Sequence, residues 1–275
     1  MKLSALNKIT FIGAGNMAGS IIGGLINSGV PANIIHATTF REESRHKVES
    51  SFGIQCGTDN IEACRGADII ILAVKPQKLK AVCEEIASSL DKNSVILSVA
   101  AGINCESLAR WLGDCALVRA MPNTPSLVGE GASGYFANIR CNEEQKALAK
   151  HCLEAVGIAL EVNSENLIDS VTAISGSAPA YFFLFIEEMV KSGVKLGLDA
   201  KIAEKLAIQT AFGSAKLAQQ SDVDVAELRR RVTSSKGTTE QAVLSFQKNN
   251  LGNLVETAMN ACANRAEELA KELGQ

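Results

Sequence analysis

Three stretches of this sequence combine residue types that can do chemistry. The first is Gly13-Ala14-Gly15-Asn16-Met17-Ala18, a G-x-G-x-x-A turn between the β-branched run Ile9-Thr10-Phe11-Ile12 and an apolar-periodic stretch through Ile21, Ile22 and Leu25. Between a strand and a helix such a turn suits a dinucleotide. Gly13 permits the sharp turn, Gly15 lets a pyrophosphate approach the backbone, Ala18 lets helix and strand pack closely, and free N–H groups at the helix start bind the anion. Glycines chosen only for close packing would look the same in isolation; the flanking strand and helix carry the inference.

The second stretch closes the next strand and reads Ala37-Thr38-Thr39-Phe40-Arg41. A site for NAD would place Asp or Glu here to hold the ribose 2′-hydroxyl. Hydroxyls from Thr38 and Thr39 with the guanidinium of Arg41, aided by Arg45, instead suit a 2′-phosphate, so NADP(H) is the expected cofactor and NAD(H) the alternative. Against this, both arginines could simply pair with Glu42 and Glu43 on the following helix. Further on, Ala73-Val74-Lys75-Pro76, Ser98-Val99-Ala100-Ala101-Gly102 and Met121-Pro122-Asn123-Thr124-Pro125 each follow a strand candidate. Ligands of parallel sheets bind at the carboxyl ends of strands, which puts Val74, Lys75 and Ala100 near the cofactor.

The third stretch is Val232-Thr233-Ser234-Ser235-Lys236-Gly237-Thr238-Thr239-Glu240-Gln241. Thr238 followed three residues later by Gln241 fits a capping box, which would make this a well-capped helix and nothing more. The functional alternative is that N–H groups from Lys236 to Thr239, with the Lys236 charge, bind a substrate carboxylate.

These residues need elements to hold them. Up to about residue 163, strand candidates KITFI, NIIHAT, ADIIILAV, SVILSV and ALVRAM alternate with amphipathic stretches, and a strand pair near 134–137 and 158–162 closes one edge. Continuous apolar strands such as Ile69-Ile70-Ile71-Leu72 require cover on both faces. The fold class is therefore α/β: a Rossmann-like, doubly wound parallel sheet over 1–163, followed by an all-α domain over 164–275. Beyond Pro179 there is no proline, and apolar positions recur at helical spacing through Ile202, Leu206, Leu217, Leu228, Val243, Leu254 and Leu269. Ser164 is a candidate N-cap at the junction. The helical part is too short to bury all its apolar faces, so it is expected to form a homo-oligomer.

With 275 residues, 47% hydrophobic, 21% charged and a formal net charge of -3, the chain reads as globular, with nucleic acid and anionic membrane surfaces disfavoured as partners. Arg229-Arg230-Arg231 reads as a solvated helix face. The N-terminus has no secretory pattern, and no unbroken apolar run reaches bilayer length, which points to a cytoplasmic protein without a membrane span. Eight cysteines without a C-x-x-C and three histidines give no metal site; the thiols read as packing.

Taken together, FIGAGNMAGSIIGGL, AVKPQ, SVAAGI, RAMPNTP, SGSAPAYFF and LRRRVTSSKGTTEQAV resemble the pyrroline-5-carboxylate reductases over nearly the whole chain. The resemblance implies a helical domain that interlocks with its twin, with dimers often assembled into a decamer. It places cofactor residues at Gly13, Gly15, Asn16, Met17, Thr38 to Arg41, Asn60, Ala73, Lys75 and Pro76. Substrate residues fall at Ser234, Gly237, Thr238 and Thr239, with Ser175, Gly176 and Ser177 lining the approach. Two departures stand out: Ser235-Lys236-Gly237 where Pro-Gly-Gly is frequent, and S-G-S-A-P where S-G-S-G-P is common.

The implied reaction is hydride transfer to a cyclic imine, giving proline in the last step of its biosynthesis. Thr239 is the candidate for the hydrogen bond to the imine nitrogen, with the proton coming from solvent or the protonated substrate. Two other readings are a β-hydroxyacid-type dehydrogenase, disfavoured because SGSAPAYFFLFIEEM has no lysine before Lys191, and a non-enzymatic NADP sensor.

Overall fold

The structure is a computed structural model that describes residues 6–274. Eight strands, β1 (Ile9–Ile12), β2 (Ile35–Thr38), β3 (Gln55–Gly57), β4 (Ile69–Leu72), β5 (Val95–Ser98), β6 (Ala116–Met121), β7 (Gly131–Ala137) and β8 (Gly157–Glu161), form one sheet in the order 3-2-1-4-5-6-7-8. All neighbours run parallel except β6 and β7. Strand order reverses between β1 and β4, the switch point at which such sheets open a ligand crevice.

Residue parity divides the core. Ile9, Phe11, Ile69, Ile71, Val95 and Leu97 lie in one cluster with apolar residues of α1 (Asn16–Asn27), α2 (Glu42–Phe52) and α6 (Glu143–Glu154). Ile12, Ile70, Leu72, Ile96 and Leu117 lie in the other with α4 (Pro76–Ile86) and α5 (Cys105–Leu112). Both faces of the sheet are covered, which is why the strands are apolar throughout rather than alternating. Each fully buried Ile or Leu contributes about 1.5–3 kcal/mol, so this double core anchors the strand ends.

Three local expectations are corrected. β3 was not anticipated: of its three residues only Cys56 is buried, so no apolar run marks it. β7 begins at Gly131, ahead of the expected 134. The helix after β8, α7 (Leu167–Val171), has Asn166 and not Ser164 at its N-cap position, because Ser164 turns its hydroxyl onto the Asn166 side chain.

The chain forms two compact units. One runs to Ser177 and includes the segment from Cys262 onward; the other is Ala178–Ala261. The first unit thus extends past residue 163. Its α3 (Asn60–Cys64) follows β3, and α7 leads into a π turn over Thr172–Gly176. Buried Arg119 on β6 reaches Glu165 at 3.2 Å and Asp169 at 3.3 Å, tying α7 to the sheet. Burial lifts the Asp169 carboxyl above its ordinary range, and the Arg119 charge draws it partly back.

The second unit holds α8 (Ala178–Lys195), α9 (Ala200–Gln219), α10 (Val225–Arg231), α11 (Thr238–Lys248) and the start of α12 (Leu251–Leu273). α8 and α9 pack where Gly193 meets Ala203, and Phe185 on α8 meets Phe246 on α11. Phe182 and Phe183 are each 66% exposed, and Ile202, Leu206 and Phe212 are exposed as well. Arg230 and Arg231 pair with Glu227 on an exposed helix face. The run Leu167–Lys195 is long and apolar enough to cross a membrane by length and composition alone. Its few polar residues break the unbroken apolar runs read from the sequence without lowering its mean hydropathy.

Candidate active site

The glycine turn sits between β1 and α1. Gly13 has φ of 101°, and a Cβ there would lie 2.8 Å from the Ala73 carbonyl oxygen, so both conformation and space demand glycine. Its N–H donates to the Thr38 carbonyl at 3.0 Å, and Ala73 N–H donates to the Ile12 carbonyl at 2.9 Å. The turn is thereby fixed to the ends of β2 and β4. Gly15 occupies the N-cap position of α1 without a side-chain cap, and a Cβ on it would point into open space. The first turn of α1 carries no acid, leaving its N–H groups and dipole free to meet an anion. This is the fit a dinucleotide pyrophosphate requires. Asn16 is exposed at the turn, while half-buried Met17 packs on the core and Ala18 is fully buried beneath it.

A cleft of about 720 Å³ begins at this turn, where Ala14, Gly15, Asn16, Arg41, Ser44 and Lys47 line it, and continues along α1 as far as Asn27. Its lining includes two cationic side chains and no carboxylate. Arg41 is exposed at the N-cap position of α2, and its N–H donates to the Thr39 hydroxyl at 3.4 Å. Thr38 differs: it is buried and donates its hydroxyl to Asn60 Oδ1 at 2.7 Å, while Asn60, also buried, donates to Glu85 Oε2 at 3.0 Å. The side chains of Thr38 and Asn60 therefore tie the end of β2 to α3 and α4. Ala73 and Val74 pack on opposite cores, exposed Lys75 and then Pro76 open α4, and Ala100 is buried in the second core. At these positions backbone and Lys75 are the groups that can face a ligand.

The expected substrate residues divide between the units. Ser175, Gly176 and Ser177 belong to the first. Ser175 donates its hydroxyl to the Val171 carbonyl at 3.0 Å, Ser177 N–H closes the π turn on Thr172 at 2.8 Å, and the Cys262 thiol donates to the Ser177 hydroxyl at 3.3 Å. The loop from Ser234 to Thr239 belongs to the second unit. The capping box anticipated at Thr238 does not form: Gly237 is at the N-cap position and no side chain caps the helix. Glu240 instead accepts the Lys236 N–H at 2.7 Å, and the Ser234 carbonyl accepts the Gly237 N–H at 3.0 Å. Of the four N–H groups considered for carboxylate binding, those of Lys236 and Gly237 are engaged internally. Thr238 and Thr239, exposed in the first turn of α11, keep theirs outside the helical ladder. Lys236 adopts φ of 61°, the left-handed conformation that glycine takes most easily.

All eight cysteines are free. Burial pushes the thiols of Cys64, Cys83 and Cys152 up to about 12, which agrees with packing and not with nucleophilic chemistry. Arg119, Asn123 and Glu85 were not singled out by sequence; only the RAMPNTP string contained two of them.

Comparison with known proteins agrees with both halves. Residues 165–269 match the family described as pyrroline-5-carboxylate reductase dimerisation, and residues 8–102 match NADP oxidoreductase coenzyme F420-dependent. A pyrroline-5-carboxylate reductase of Pseudomonas aeruginosa is 51% identical over 98% of this chain and 98% of its own length. A solved reductase of that name from Coxiella burnetii superposes with a TM-score of 0.93 at 41% identity, covering 96% of this chain and 98% of its own. The Plasmodium falciparum pyrroline carboxylate reductase, solved with NADP bound, gives a TM-score of 0.84 at 29% identity over 97% of this chain and 99% of its own. A Rossmann-type sheet with a helical dimerisation domain, matched from end to end at these identities, makes this chain a member of the pyrroline-5-carboxylate reductase family.

Proposed function

We propose that the protein reduces 1-pyrroline-5-carboxylate to L-proline with a hydride from NADPH. The observation that carries this reading is the full-length match at 51% identity. NADPH is favoured over NADH because the end of β2 offers Arg41 and hydroxyls where an acid would select NAD, and because Arg41 shares the glycine turn's cleft. A bound nicotinamide dinucleotide supplies the hydride. The chain's own work is to orient the imine and stabilise its nitrogen.

Thr238 and Thr239 N–H groups at the start of α11 hold the substrate carboxylate, and the Thr239 hydroxyl hydrogen-bonds the imine nitrogen. Protonation of that nitrogen by solvent, or before binding, raises the electrophilicity of the carbon, so positioning matters more than a strong base. The hinge Ser175–Ser177 forms a wall of the approach. Gly15 and Asn16 meet the pyrophosphate, while Thr38 and Asn60 act by bracing the β2 end.

A second copy of the chain covers the apolar faces of α8 and α9, and we read the apolar run Leu167–Lys195 as an interface helix of a cytoplasmic dimer. Assembly above the dimer is read by light scattering. The activity test is imine-dependent oxidation of NADPH beside NADH: the reading expects faster turnover with NADPH, and no imine-dependent oxidation across pH would overturn it.

A further inference from the structure

Alternate residues of β6 and its continuation share a face, by the period of two that governs strands. On this face Arg119 pairs with Glu165 and Asp169, the Met121 side chain lies where a Cβ on Gly176 would come within 2.6 Å, and Asn123 donates from Nδ2 to the Ser175 carbonyl at 3.0 Å. All three contact the segment that carries α7 and the π turn. The opposite parity, Val118 and Ala120, is spent on the core.

The Asn123 bond has a cause in the sequence. In a helix the Ser175 carbonyl would accept the N–H four residues on, and that residue is Pro179, which has none. Asn123 is 8% exposed and supplies the missing donor, while its Oδ1 accepts the Ala132 N–H at 2.9 Å and fixes the amide's orientation. The motifs RAMPNTP and SGSAP thus answer one another. A π turn over Thr172–Gly176 is the kind of irregularity helices keep where a site needs a particular backbone path.

We propose that this face of β6 is a seat for the Ser175–Ser177 hinge, and that Asn123 is a positioning residue for imine reduction, acting through the Ser175 carbonyl. The proposal rests on the reading of that hinge as a wall of the substrate site. Asn123→Asp keeps the acceptor for Ala132 but replaces the donor to Ser175 with a carboxylate oxygen, so Asn123→Ala, which removes the donor without adding charge, is measured beside it. Each full-length variant is expected to raise the KM for pyrroline-5-carboxylate about tenfold, keep NADPH affinity within about twofold, and speed amide exchange over residues 172–178. Adding Pro179→Ala returns an N–H to the Ser175 carbonyl and is expected to restore much of the KM. Should Asn123→Asp alone fail to fold, Met121→Ala, which loosens the seat under Gly176, is expected to raise the same KM severalfold with NADPH binding intact.

Faster exchange with an unchanged KM would overturn the proposal by showing that Asn123 serves stability alone. So would a KM that stays high when Pro179→Ala is added. A wild-type chain that binds NADPH but leaves the imine untouched would instead overturn the substrate reading and, with it, this inference.

Discussion

In the proposed function, cofactor choice rests on Arg41 and the chemistry on Thr239. Arg41 lines a cleft whose lining holds no carboxylate, which is the setting a phosphate requires. Arg41→Ala is expected to weaken NADPH binding by about 1–3 kcal/mol and leave NADH nearly unchanged, as titration of the two cofactors would show. Equal losses would make Arg41 structural. Since no side chain caps α11, Thr239→Ala should cost little stability, and its kinetic effect can be read cleanly. A roughly 10- to 100-fold fall in kcat is expected, with Thr239→Ser recovering most of it. Lys236 supplies a third residue-level test, because its left-handed backbone costs about 1–2 kcal/mol that glycine avoids, partly offset by glycine's greater freedom when unfolded. Lys236→Gly should therefore raise the stability measured by denaturant by up to about 1 kcal/mol. A rise in substrate KM in the same variant would show that the lysine charge is used.

Elements decide which of these residues can act. The glycine turn, the open position at Gly15 and the apolar strands were legible in the sequence because local conformation and two-sided burial leave direct marks on residue type. Side-chain direction was not. Thr38 and Asn60 carry the right chemistry for a ligand, and the sequence did not show that they also bond each other and Glu85. The Thr238–Gln241 spacing matched a capping box, but Glu240 captured the loop N–H. Arg119 and Asn123 were hidden for the same reason: their partners on the segment from Glu165 to Ser175 lie 46 to 52 residues away, beyond any local pattern. Packing at α1 gives the test at this scale. A Cβ on Gly24 would collide with the Ala155 carbonyl oxygen, so Gly24→Ala must push helix and loop apart, at about 1–3 kcal/mol in thermal unfolding.

At the scale of the whole molecule, the first unit has a complete two-sided core, whereas the second leaves Phe182 and Phe183 largely exposed. The expected oligomer follows from that imbalance and from the dimerisation family match over 165–269. Light scattering should report a dimer or larger species, and Phe183→Glu should shift it toward monomer. The central claim is that this chain carries a hydride from NADPH to the imine carbon, and isotope transfer tests it most directly. Incubation with pyrroline-5-carboxylate and NADPH carrying deuterium at both C4 positions of the nicotinamide is predicted to give proline with one deuterium at C5, detected by mass spectrometry. Unlabelled proline, or none beyond the enzyme-free control, would contradict it.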